Sequence, residues 1–177
     1  MDLAFTRSLQ SVASDPLDIL ANANTPFGQA LVSVLLAAAL ALVAWRREPP
    51  MAWLAMLLFG GVVVVGLVLK LVLVHPPPTH EYVRALWNPL GVGISTPSGF
   101  PSGHIARMTF LAIVGAALFR AQPIRIALAL FVGYTFWARV YIGDHWLSDA
   151  IGGLALGVAA GSLAWMWIER CRDAGRS

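Results

Sequence analysis

A few ionisable residues interrupt an otherwise apolar chain, and they fall in three blocks. Lys70 closes one hydrophobic stretch. Pro101-Ser102-Gly103-His104 opens the next. Arg139, His145 and Asp149 span the junction of the last two. If each stretch crosses a membrane, all three blocks reach the same face. Two imidazoles, a carboxylate and several cations gathered there suit the handling of a phosphate. Ser102 and Gly103 sit where a helix begins, so the first backbone N–H groups have no partner within the helix and its dipole favours an anion. Gly103 permits close backbone approach, and Ser102 adds a hydroxyl. His145 and Asp149 are four residues apart, on one face of a helix that starts near His145. A carboxylate there can keep one ring nitrogen as N–H and free the other to attack.

Depth sharpens the reading. Lys70 lies four residues before the end of its stretch, Arg139 about three before its own, and Arg107 about six after its start. By helical rise, all three sit roughly 5–9 Å below one rim. A single Lys or Arg near a helix end ordinarily snorkels to the headgroups, and a lone His is ordinarily a satisfied interfacial residue. Those ordinary readings would have to hold at every position together. Asp149 is the one carboxylate placed at that depth, so the layer is short of negative charge and a phosphate would supply it. His75, His80, Glu81 and Asp144 are read as loop and rim residues, with Glu81 able to pair with Arg84.

The elements that must position these residues are membrane helices. The chain has 177 residues, 58% hydrophobic and 12% charged, where a soluble domain carries about 25% charged residues. Its basic excess comes from eleven Arg and one Lys, scattered without the dense stripe that nucleic acid requires. Cys171 is the sole cysteine, which excludes an internal disulfide and reads as an inert packing thiol. Five apolar segments are expected at about Pro26–Trp45, Met51–Val74, Pro101–Phe119, Pro123–Ile142 and Leu147–Ile168, each near the ~20 residues that cross the hydrocarbon core. The expected fold is all-α: a polytopic bundle of about five spans with an N-terminal amphipathic interfacial segment broken at Pro16. The organisation is residues 1–24 as that segment, 25–170 as the membrane-embedded domain with the 75–100 loop over the site, and 171–177 as a polar tail. Within the loop, a short helix is expected from Thr79 to Trp87, with Trp87 and Phe100 lying against the interface. Gly153, Gly157 and Gly161 form a small-residue stripe for close helix packing within the chain, or alternatively a homo-oligomer seam. Arg46, Arg47, Arg120, Arg125, Arg170, Arg172 and Arg176 fall on one side, which the positive-inside rule makes cytoplasmic. The cluster then faces the extracytoplasmic side of an inner membrane.

These blocks resemble the type 2 phosphatidic acid phosphatase superfamily of lipid phosphatases. Its signature is Lys-x6-Arg-Pro, then Pro-Ser-Gly-His, then Ser-Arg-x5-His-x3-Asp. The second part is complete at Pro101–His104, and the third is Ala138-Arg139-x5-His145-x3-Asp149, with Ala138 for Ser. The first part departs: six residues after Lys70 comes Pro77-Pro78, without the Arg. Arg107 or Arg84 is expected to supply that guanidinium, with Arg107 favoured by depth. The resemblance implies a hydrolase of lipid phosphates or diphosphates, polyprenyl diphosphate or phosphatidate-like, working without metal or other cofactor. It implies His145 as nucleophile forming a phosphohistidine, Asp149 as its orienting acid and His104 as acid and base. Lys70, Ser102, Gly103 and Arg139 would hold the phosphate. The same residues would serve a lipid phosphotransferase or a non-catalytic anionic-lipid binder. The family's vanadate-dependent haloperoxidases are soluble, which the apolar segments here oppose.

Overall fold

The computed structural model describes residues 2–86 and 98–175. Among them are seven α-helices and no strand: α1 (Asp2–Gln10), α2 (Asp15–Ala23), α3 (Ala30–Trp45), α4 (Pro49–Val72), α5 (Gly103–Phe119), α6 (Gln122–Tyr141) and α7 (Leu147–Ala174). The all-α membrane bundle is therefore as the composition demands. α4, α6 and α7 are long and apolar enough to cross a membrane, and α3 and α5 are shorter apolar helices of 16 and 17 residues. The outer faces carry large apolar side chains in the open, Leu57 and Leu130 each 70% exposed. That is the surface a helix presents to lipid rather than to water.

Proline sets several starts. Pro16, Pro49 or Pro50, and Pro123 occupy the first turns of α2, α4 and α6, where the missing N–H has no bond to lose. The break between α1 and α2 thus precedes Pro16. α7 continues through Cys171 to Ala174, beyond the end expected at Ile168, so part of the predicted polar tail is helical. The helix expected from Thr79 is only a 3-10 turn at His80–Tyr82, and its expected end at Trp87 lies outside the described residues.

The glycine stripe decides the central packing. A Cβ on Gly153 would stand 2.4 Å from the Ser102 carbonyl oxygen, one on Gly157 2.6 Å from that of Ala106, and one on Gly161 2.8 Å from the Ile113 side chain. All three are buried against α5 within one chain, as the close-packing reading expects. The contacts step forward together along α5 and α7, so these two helices run parallel. α4 runs opposite to α7, its Pro50 carbonyl accepting from the Trp167 indole at 3.1 Å. The N-termini of α3, α5 and α7 consequently share one end with the C-termini of α4 and α6.

At the other end, arginines cover the last carbonyls of α5. Arg125 donates to Ala116 at 3.2 Å, Arg172 to Ala117 at 3.0 Å, and Arg47 to Leu118. Ala116 also accepts from the Arg120 N–H at 3.3 Å; the last carbonyls of a helix lack partners further along it, and cations there also meet its negative dipole end. Arg120 turns the chain away with a left-handed φ of 44°.

The N-terminal helices do more than lie at an interface. Asp2 accepts from the Ser148 N–H and hydroxyl in the first turn of α7 (3.1 and 2.7 Å). Arg7 donates to the Tyr82 hydroxyl, and Gln10 to the Tyr82 and Tyr141 carbonyls. Arg84 grips Asp18 through two bonds of 2.8 and 2.7 Å, and Tyr141 donates to the same carboxylate at 2.8 Å. That fork holds the Asp18 carboxyl below its usual range, against an opposing push from burial and with help from Tyr141. It pushes the Arg84 guanidinium up in turn.

Candidate active site

The site forms where three helix N-termini meet two C-termini. Lys70 lies two residues inside the end of α4, Arg139 two inside the end of α6, and Asp149 two inside the start of α7. The Lys70 ammonium donates to the Ser98 and Gly99 carbonyls at 3.1 and 3.0 Å. Ser102 donates its N–H to the Asp149 carbonyl at 2.9 Å, which fixes the start of α5 level with α7. The Ser102 hydroxyl caps α5 by accepting from Ile105 N–H at 3.5 Å, a long bond that leaves its own hydrogen free to donate. His104 follows one residue into α5, and its electrostatic neighbours are Arg139, Arg107 and His145. Lys70 in turn feels Asp149 and Arg107. The tertiary structure thus gathers every residue singled out in the three blocks.

Asp149 is fully buried. Its Oδ2 accepts from Trp146 N–H at 3.0 Å and lies 3.6 Å from His145 Nδ1. The nitrogen of His145 that faces the carboxylate is therefore Nδ1, which leaves Nε2 as the free one. His104 hydrogen-bonds the Thr25 backbone, and its Nε2 is buried without a protein partner. Arg139 is also fully buried. It donates to Asp144 Oδ2 at 2.8 Å and Thr25 Oγ1 at 2.7 Å, while its Nε has no partner.

Arg107 points into the same place. Its guanidinium donates to the Gly28 carbonyl at 2.6 Å, its Nε is buried without a partner, and one terminal nitrogen would be 2.9 Å from a Cβ on Gly103. The missing side chain of Gly103 leaves room for this approach of Arg107. Arg84, the other candidate for the missing guanidinium, is committed to Asp18 at the α2 face. The expected pairing of Arg84 with Glu81 is corrected by the same bond, and Glu81 instead accepts from the Thr79 hydroxyl.

Four residues of the site escaped the sequence reading. Asp144 carries a second carboxylate, bonded to Arg139, so the layer is less starved of negative charge than depth alone implied. Three permanent cations still face two carboxylates. His75, expected at the rim, places its Nδ1 2.9 Å from Asp149 Oδ1. Thr25 and Gly28, from the link between α2 and α3, wall the site opposite α5. Asp144 and His75 adjoin recognised blocks, a signal that existed. Nothing in the sequence pointed to Thr25 or Gly28.

The model of the PAP2 superfamily matches residues 50–173, which is most of the chain. The chain belongs to the PAP2 superfamily. Within it, this PAP2 chain is 33% identical over 126 residues to the lipid A 1-phosphatase of Rhizobium johnstonii, covering 68% of this chain and 50% of that protein. It is 29% identical over 91 residues to the lipid A 4'-phosphatase of Porphyromonas gingivalis, covering 51% and 37%. It therefore spans about half or less of the length of these curated relatives. Among solved structures it is similar in fold to Aquifex aeolicus LpxE, with a TM-score of 0.73, 20% identity and coverage of 92% and 93%. It is similar also to a PAP2-type phosphatidylglycerolphosphate phosphatase from Bacillus subtilis, with a TM-score of 0.72, 22% identity and coverage of 96% and 85%. The family match begins at Pro50, so the wall formed by Thr25 and Gly28 lies outside it.

Proposed function

We propose that this PAP2 protein is a membrane lipid phosphatase working through a phosphohistidine on His145. The observation that carries the reading is the convergence, at one end of the bundle, of the His145–Asp149 pair, His104 and three cations. In the first step His145 Nε2 attacks phosphorus and the bond to the lipid oxygen breaks. His104, protonated, gives its proton to that oxygen. In the second step the neutral His104 takes a proton from water, the resulting hydroxide displaces His145, and phosphate leaves. Asp149 keeps the His145 Nδ1 protonated and stabilises the cation that forms. Lys70, Arg139, Arg107, the Ser102 hydroxyl and the Gly103 N–H hold the phosphoryl oxygens as charge moves across them. The buried N–H groups of Arg107 and Arg139 that lack protein partners are donors such oxygens would satisfy.

The relatives make a lipid A-type glycolipid phosphate the first substrate to test. Polyprenyl diphosphates and phosphatidate-like lipids also join a phosphate to long apolar chains, and they complete the panel. The arginines at the opposite end of α5 support an outward-facing site in an inner membrane.

The test is phosphate release from that panel by purified protein, with His145→Ala as control and with EDTA. Release that His145→Ala abolishes and EDTA spares is the expected result. Inhibition by EDTA that added metal reverses would refute the metal-free step. Transfer only to an added lipid acceptor would make the protein a phosphotransferase, and no turnover with intact lipid binding would make it a binder.

A further inference from the structure

We infer that His75 is a positioning residue for this chemistry, holding the second oxygen of Asp149 so that the first stays on His145. The inference rests on the phosphatase reading above. It starts from the carboxylate. Asp149 has no exposure to solvent, and a buried charge is tolerated only when its oxygens find donors. Oδ2 has the Trp146 N–H at 3.0 Å and His145 at 3.6 Å. Oδ1 has His75 Nδ1, at 2.9 Å. The two imidazoles therefore lie against different oxygens of Asp149, each within ion-pair distance and short of full hydrogen-bond geometry.

The approach of His75 lacks the linear alignment of a full hydrogen bond. Rotation about χ2 is broad and soft for His, so a small turn of the ring would complete it. The backbone of His75 is well anchored for the task. Its N–H meets Ser98 Oγ at 3.3 Å and its carbonyl accepts from Gly99 N–H at 2.8 Å. Its ring stands edge-on to Phe100, 6.3 Å between centroids. The carbonyls of Ser98 and Gly99 also receive Lys70. Gly99 closes the other side of the carboxylate, since a Cβ there would be 2.7 Å from Oδ2. Chain leaving α4 and chain entering α5 are thus pinned together around Asp149. His75 stands two residues before Pro77, in the segment where the resembled family carries its Arg. That segment reaches the carboxylate here.

The test is steady-state kinetics of the full-length protein in detergent micelles, on a lipid phosphate that the wild type hydrolyses. His75→Ala is expected to lower kcat at least about tenfold with KM changed less than about threefold, because the lost group acts only through the nucleophile. His75→Asn places an amide N–H near Nδ1 and should recover most of kcat. His75→Gln places it farther out and should not. His75→Ala within about twofold of wild type in kcat, or His75→Asn no better than His75→Gln, overturns the inference. If His75→Ala fails to fold, the Asn and Gln variants decide alone. A wild type that releases no phosphate refutes the parent reading and takes this role with it.

Discussion

Gly28→Ala probes whether the N-terminal wall sets the position of His104, the proposed acid and base. A Cβ built on Gly28 would lie 2.1 Å from His104 Cδ2, 2.6 Å from Cγ and 2.8 Å from Cβ. Carbon atoms pack at about 3.5–4.0 Å, so ring or wall must move by roughly 1.5 Å to admit the methyl. The ring cannot swing away freely: Ile105, Ala106 and Ser102 beside it are buried, and Thr25 holds its polar edge. A misplacement of about 1 Å in a catalytic group costs on the order of 10²-fold in rate, or about 2.7 kcal/mol of barrier. Gly28→Ala should therefore lower kcat for phosphate release about 10²-fold. Gly133→Ala and Gly60→Ala are the controls, because a Cβ there meets nothing within 4 Å and alanine favours a helix interior. Both should keep kcat. Thermal unfolding of each variant in micelles separates misplacement from misfolding. A folded Gly28→Ala protein with wild-type kcat would show that His104 does not work from this position.

Arg107→Ala should cut kcat/KM about 10²-fold, the effect of removing one charged donor from a developing phosphoryl charge, while Arg84→Ala leaves it intact. Equal effects in the two would undo the choice of Arg107 over Arg84. Arg84→Ala should instead lower stability by about 1 kcal/mol, read by chemical unfolding. Because Arg84 lowers the Asp18 carboxyl, that contribution is present above the unfolded carboxylate pKa of about 3.9 and is lost as pH falls through the lowered folded value. Wild type and Arg84→Ala should therefore converge in stability at acid pH, and a constant gap would contradict the pairing. Gly157→Ala presses a methyl to 2.6 Å from the Ala106 carbonyl and should destabilise by about 1–3 kcal/mol. Unchanged unfolding of that variant would mean that α5 and α7 are not packed at this spacing.

Much of the fold was legible because the bilayer imposes long apolar runs, and prolines mark where several helices begin. The glycine spacing at 153, 157 and 161 announced a close partner, but only packing could name α5 as that partner. The short helix expected from Thr79 failed because local propensity there yields to the contacts of Tyr82 with Arg7 and Gln10. Within the site, helical spacing brought His145 to Asp149, and helical rise brought Lys70, Arg107 and Arg139 to one depth.

Sequence by itself determined an apolar helical chain with a layer of cations, two histidines and a carboxylate at one rim. Those features are local: composition, period and spacing carry them. The tertiary structure decided how each charge is satisfied. It gave Asp144 to Arg139, Asp18 to Arg84 and His75 to Asp149, and it brought Gly28 against His104 and Arg107. Apart from Arg139 and Asp144, which meet across one turn, these partners lie 66 to 79 residues apart and meet only when helices pack, and no period in the sequence encodes those distances.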